Sequence, residues 1–194
     1  MVSANDIKNA IERFAPVELA EDFDNVGLLV GSGKKEVKKI LLALDADENV
    51  VDEAIGKGAD MIVTHHPVIF NAPKSITDET PLGRTLLRLI ENSIPVFSAH
   101  TNMDKANGGL NDLMVKKLGL ENVRVTGYSK NRGKGCAVRT AMLEAVGDEP
   151  DPDSVVMFTD ADLAYGTGVI EQYSKAFLGS SDTDIFIGSR NLKG

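Results

Sequence analysis

The sequence predicts an α/β fold with a largely parallel sheet, and three observations support that prediction. Strand-sized apolar runs alternate with helical patterns along the chain. Capping residues and glycine stops punctuate the same rhythm. Acids or histidines stand at the ends of several apolar runs, where parallel sheets gather their sites.

Taken in order, Ser3 and Asp6 have capping-box spacing, and Ile7, Ala10, Ile11 and Phe14 follow with helical period. KKILLALDA (38–46) is a short apolar run ending in turn-forming acids and reads as a buried strand. DENVVDEAIGKGA reads as a helix stopped by Gly58, and MIVTHH (61–66) as the next strand. Thr80 before Pro81 is an N-cap with proline at the first helical position, opening a helix through Glu91. IPVFSAH (94–100) is a third strand and GLNDLMVKKLG (109–119) a further helix. Beyond it, VRVTGY (123–128), SVVMFTDAD (154–162) and DIFIGS (184–189) are strand-like, with helices expected at 135–147 and 168–179. EPDPDS (149–154) is a turn-rich acidic insertion, and no internal repeat stands out.

With 194 residues, 42% hydrophobic and 26% charged, the chain has the composition of a globular protein of one domain or two small ones. A net charge of −8 and a pI near 4.9 argue against general nucleic-acid binding, because the phosphate backbone is repelled. Lys130, Arg132, Lys134 and Arg139 form the one convincing basic cluster. Cys136 stands alone, which rules out an internal disulfide and suits a reducing compartment. The start, MVSANDIKNAIERF, lacks the pattern of a signal peptide, and apolar runs such as Ile40 to Leu44 are too short to span a bilayer. A cytoplasmic protein with no membrane segment is therefore expected.

All three histidines lie between positions 65 and 100. His65 and His66 end one predicted strand, while His100 and Asp104 sit just past another, so the two ends can converge on one site. Neighbouring residues of a regular strand point to opposite faces, so a His-His pair rarely grips one ion in regular strand geometry, but at a strand's end each can face a different ion. Imidazole with carboxylate suits Zn, Fe, Mn or Co, and a carboxylate can bridge two ions. Asp104 has an alternative duty, capping the turn before Asn107-Gly108-Gly109.

DNVGLLVG (24–31), GADMIVTHHPVIF (58–70) and AHTNMDKANGGLND (99–112) closely resemble the Nif-three-like family, whose members are often labelled GTP cyclohydrolase 1 type 2 homologues. The resemblance covers residues 1–122. It implies an α/β lobe with a dinuclear metal centre, often assembled as a ring-shaped homo-hexamer. By that pattern His65, His66 and Asp104 are metal ligands and His100 lies nearby. The family completes its site with a His and a Glu one helical turn apart near the C-terminus, and this chain has no histidine after His100. An incomplete dinuclear site holding one or two divalent ions is the expectation. Metal-dependent hydrolysis, in which an activated water attacks an ester or ring carbon, follows from the two-metal architecture. A small phosphorylated or nucleotide-like molecule is the corresponding ligand class.

Residues 123–194 resemble a fragment of the family-2 glycosyltransferases, of the polyprenyl-phosphate sugar transferase type, through NRGKG, FTDADLAYG and DIFIGSR. That resemblance implies Asp160 and Asp162 as an acid-x-acid motif holding Mg or Mn against a nucleotide-sugar diphosphate, with Lys134 near the nucleotide. Asp45-Ala-Asp47 repeats the tripeptide, where a helix N-cap explains it. Two domains are thus expected, 1–122 and 123–194. Three functions follow: a metal-dependent hydrolase, a nucleotide-sugar binder through Asp160 and Asp162, or a non-enzymatic assembly or adaptor subunit with a structural metal.

Overall fold

A computed structural model describes residues 1–119, 134–147, 156–158 and 168–179. The chain divides into two compact units, Met1–Leu113 and Met114–Gly194.

The first unit opens with α1 (Ala4–Phe14), whose capping box is formed as expected. The Ser3 hydroxyl accepts from the Asp6 amide, and the Asp6 carboxylate accepts from the Ser3 amide at 2.8 Å. β1 (Gly27–Val30) and β2 (Ile40–Ala43) follow, then α2 (Glu48–Lys57). Asp47 caps α2 by accepting from the Val50 amide, and Gly58 ends it in the left-handed region at φ 61°. β3 (Met61–Thr64) leads to α3 (Pro81–Glu91), capped by Thr80 with proline at its start. β4 (Val96–Ser98) and the short α4 (Thr101–Lys105) follow, and α5 (Leu110–Leu118) begins in this unit and continues past its boundary at Leu113.

The sheet order is β1-β4-β3-β2. β2 pairs with β3 and β3 with β4 in parallel, whereas β1 runs antiparallel to β4. The sheet is therefore mixed, with its parallel pairs at the centre and one side. Alternation along β3 and β4 sends Ile62 and Val96 to one face and Met61 and Phe97 to the other. On the first face they pack with Val51 and Ala54 of α2 and with Leu86 and Leu89 of α3. On the second they pack with Ala4, Ile7 and Ile11 of α1. Arg84 of α3 adds a two-pronged ion pair to Glu48 of α2, with Nε and Nη2 at 3.0 and 2.8 Å from the two carboxylate oxygens.

The expectation of a fully buried strand at 38–46 needs correction. Among the described residues β2 is an edge strand, and Leu42, beyond the cluster that takes in Ile40, is 75% exposed. A continuous apolar run does not distinguish a central strand from an edge one.

In the second unit, α6 (Lys134–Val146) and α7 (Gly168–Leu178) lie where the helical patterns placed them. The described part of the strand expected at 154–162, residues 156–158, is irregular. The strands expected at 123–128 and 184–189 and the EPDPDS insertion lie outside the described residues. No helix among the described residues is long and apolar enough to cross a membrane.

Candidate metal centre

β3 and β4 run parallel side by side, with Thr64 in register with Ser98, so the chain leaves both strands at the same end of the sheet. Beyond Thr64 the backbone bends out of regular strand geometry. The Thr64 hydroxyl reaches forward to the His66 carbonyl at 2.8 Å, and Pro67 follows. Because the strand has ended, the alternation that would send His65 and His66 to opposite faces does not apply. Their rings lie on one side, with centroids 5.1 Å apart. The opposite-face geometry of a regular strand therefore does not govern this pair.

His100 joins them. It stands at the N-terminus of α4, with its ring centroid 5.0 Å from that of His65 and 5.6 Å from that of His66. One ring nitrogen from each of the three histidines lies within 4.8 Å of the others, close enough to hold a single metal ion. One turn into α4, Asp104 places Oδ1 3.7 Å from His65 Nε2. The turn at Asn107-Gly108-Gly109 is tied instead by Asp112, which accepts from the Gly108 amide at 2.6 Å.

Each imidazole is oriented through its Nδ1. That of His65 meets the Ala99 carbonyl at 3.0 Å, that of His66 the Asp45 carboxylate at 2.8 Å, and that of His100 the Asp24 carboxylate at 2.9 Å. A carbonyl or ionised carboxylate can only accept, so Nδ1 carries a proton in each of these hydrogen bonds, and in the neutral ring the lone pair falls on Nε2. Burial holds the His65 imidazole below its ordinary value, against the opposing pull of Asp104 and the Ala99 hydrogen bond. Burial alone would raise Asp24, but hydrogen bonds from the Thr101 hydroxyl, His100 and the Thr101 and Asn25 amides together hold it below its usual value. Imidazole nitrogens beside a carboxylate are a donor set that borderline divalent metals take.

Two of these groups escaped sequence reading. Asp24 opens the DNVGLLVG segment, which drew notice only as part of a resemblance, and Asp45 belongs to the LDAD turn, where Asp47 alone has the capping role. Asp160 and Asp162 lie outside the described residues. Of Lys134, only its place as the first residue of α6 is described.

A helix-flanked mixed sheet with a histidine cluster beyond adjacent parallel strand ends defines an α/β protein with a candidate metal site. The chain belongs to the Duf34/NIF3 (NGG1p interacting factor 3) family, whose sequence model matches residues 2–180. It is 56% identical over 115 residues to the GTP cyclohydrolase 1 type 2 homolog of Clostridium perfringens, covering 59% of this chain and 44% of that protein. The homolog of the same description from Bacillus subtilis is 40% identical over 124 residues, covering 64% and 33%. Among solved structures, a Bacillus cereus protein related to NIF3 aligns with TM-score 0.61 and 41% identity, covering 66% of this chain and 35% of that one. Reduced HcgD from Methanocaldococcus jannaschii aligns with TM-score 0.58 and 40% identity, covering 62% and 48%. This chain spans less than half the length of each of these four proteins. The family match runs through residues 123–180, the greater part of the segment that resembles glycosyltransferases, and that second resemblance finds no support in these matches.

Proposed function

We propose that the protein binds a divalent transition metal through His65, His66 and Asp104, with His100 at the same cluster, and acts as a metal-dependent hydrolase. The observation that carries this reading is the convergence of one ring nitrogen from each of the three histidines within 4.8 Å of the others, while each Nδ1 is hydrogen-bonded to a carbonyl or carboxylate oxygen. Three imidazole nitrogens and a carboxylate fit Zn, Fe, Mn or Co better than Mg or Ca, which prefer oxygen. A second ion would share Asp104, since a carboxylate can bridge.

A metal bound there would supply Lewis acidity and an activated water for hydrolysis. The chain's own contribution is to orient the imidazoles through their Nδ1 hydrogen bonds and to keep the Asp104 carboxylate beside them. The shared description of the relatives as GTP cyclohydrolase 1 type 2 homologs supports a nucleotide-like or otherwise phosphorylated ligand. Assembly into a homo-oligomer, a hexamer by family resemblance, belongs to the same proposal.

Elemental analysis after stripping and reloading with Zn or Mn tests the metal assignment. At least one ion per chain is expected, lost or sharply reduced in Asp104→Ala and in His65→Ala. Metal content unaffected by both substitutions would end this assignment.

A further inference from the structure

We infer that Asp24 is a positioning residue of the metal centre, fixing the proton of His100 on Nδ1 and anchoring the N-terminus of the helix that carries Asp104. The inference rests on the proposed metal reading, but its geometry comes from a different part of the chain. β1 is the strand that runs antiparallel, and Gly27 pairs with Ser98. The loop entering β1 is therefore delivered to the carboxyl end of β4, where His100 and α4 begin. In an all-parallel sheet that loop would arrive at the opposite end.

The Asp24 side chain is fully buried, and four donors converge on it. Oδ1 accepts from His100 Nδ1 at 2.9 Å and from the Asn25 amide at 2.8 Å. Oδ2 accepts from the Thr101 amide at 3.0 Å and from the Thr101 hydroxyl. That hydroxyl has given its one proton to Asp24, and its oxygen accepts from the Glu21 amide at 3.0 Å. The Asn25 side chain donates to the Ile69 carbonyl at 2.5 Å, tying the same loop to the segment that follows His66. One carboxylate thus links the loop before β1, the His100 ring and the first turn of α4.

The chemistry requires an anion there. An acceptor-only group at Nδ1 selects, for the neutral His100 ring, the tautomer whose lone pair is on Nε2. Asp24→Asn has the same shape, but its amide cannot serve donors on both sides. With the amide oxygen kept on Thr101, the NH₂ faces His100 Nδ1, and the imidazole takes the Nε2–H tautomer. A proton then points where the metal needs a lone pair. Outer partners of metal-bound histidines typically set affinity by roughly 10- to 100-fold.

The test is nitrogen NMR of histidine-labelled, metal-free full chain at mildly alkaline pH, combined with zinc competition titration. His100 in the parent is expected as the Nδ1–H tautomer. Asp24→Asn is expected to shift it to Nε2–H and weaken zinc binding by roughly 10- to 100-fold. Thr101→Ala, which removes one hydrogen bond but leaves the acceptor at Nδ1, is expected to keep the tautomer. An Nε2–H His100 in the parent overturns the inference without any variant, which covers the case in which Asp24→Asn fails to fold. A folded Asp24→Asn with the parental tautomer and unchanged zinc affinity overturns it as well. If the parent binds no zinc, the metal reading fails by itself, and the tautomer alone decides whether Asp24 sets the proton on His100.

Discussion

The hydroxyls of Thr64 and Ser98 lie 2.8 Å apart, fully inside the protein, at the register point where β3 and β4 end. Thr64 has one proton, and the His66 carbonyl, which cannot donate, takes it at 2.8 Å. Ser98 is therefore the donor of the pair. This short relay, Ser98 to Thr64 to the His66 carbonyl, pins the two strand ends from which the histidines emerge. Ser98→Ala removes only the first donor, and a loss of about 1 kcal/mol is expected. Thr64→Val strands both the Ser98 proton and the His66 carbonyl, and about 1–3 kcal/mol is expected. Urea denaturation of the full chain measures both. A larger loss for Ser98→Ala than for Thr64→Val would reverse the proton assignment.

Local signals were legible in the sequence, and non-local ones were not. The Ser3 box, the Thr80-Pro81 start and the Gly58 stop act within a few residues, so spacing alone revealed α1, α3 and the end of α2. β1 was missed because its four residues are extended by pairing with β4, some seventy positions away, and its antiparallel sense cannot be read from GLLV. The exposure of Leu42 depends on strand order, which periodicity does not encode. At the site, His65, His66, His100 and Asp104 were visible as types and spacings. Their grouping depended on the backbone turning after Thr64, where the strand rule lapses. Asp24 reaches His100 across 76 positions, a contact only the fold creates.

Gly31, at the end of β1, has φ near 87°, and a Cβ added there would lie 2.7 Å from Pro95 Cα. The neighbour is buried backbone that cannot turn aside. Gly31→Ala combines left-handed strain with overpacking, and about 2–4 kcal/mol of destabilisation is expected. Gly58 also has a positive φ, 61°, but open space around it, so Gly58→Ala should show the strain alone, about 1 kcal/mol. Thermal and urea unfolding of the two variants would refute this account if Gly58→Ala proved the more damaging.

Asp60 accepts from the backbone amides of Lys38 and Lys39, both at 2.9 Å, at the entry to β2. Those two hydrogen bonds, that of Lys38 first, hold its carboxyl below the ordinary aspartate value of 3.8. A depressed folded-state value stabilises above the unfolded one, and that contribution disappears as pH falls through the folded value. Asp60→Asn keeps an acceptor but loses the charge. The stability gap between parent and Asp60→Asn should therefore be full at neutral pH and close as the pH drops below 3.8. Denaturation midpoints measured across that acid range decide it, and a gap constant with pH would mean the carboxylate charge is irrelevant.

Metal should also act as a folding ligand for the first unit, because its candidate donors come from segments that meet only in the folded chain: His65 and His66 after β3, His100 after β4, and Asp104 from α4. An ion that binds the folded form alone stabilises it by about 2.7 kcal/mol when present at one hundred times its dissociation constant. Zinc added to the stripped protein should raise the melting temperature, and chelator should reverse the rise. Magnesium, an oxygen-seeking ion, should produce little change at a cluster dominated by imidazole nitrogen. His65→Ala removes the least exposed of the three rings and should abolish the zinc-dependent rise while leaving the metal-free melting temperature comparatively close to the parent's. Calorimetric scans with zinc, magnesium and chelator provide the comparison. An equal rise in His65→Ala would place the stabilising ion somewhere other than the histidine cluster.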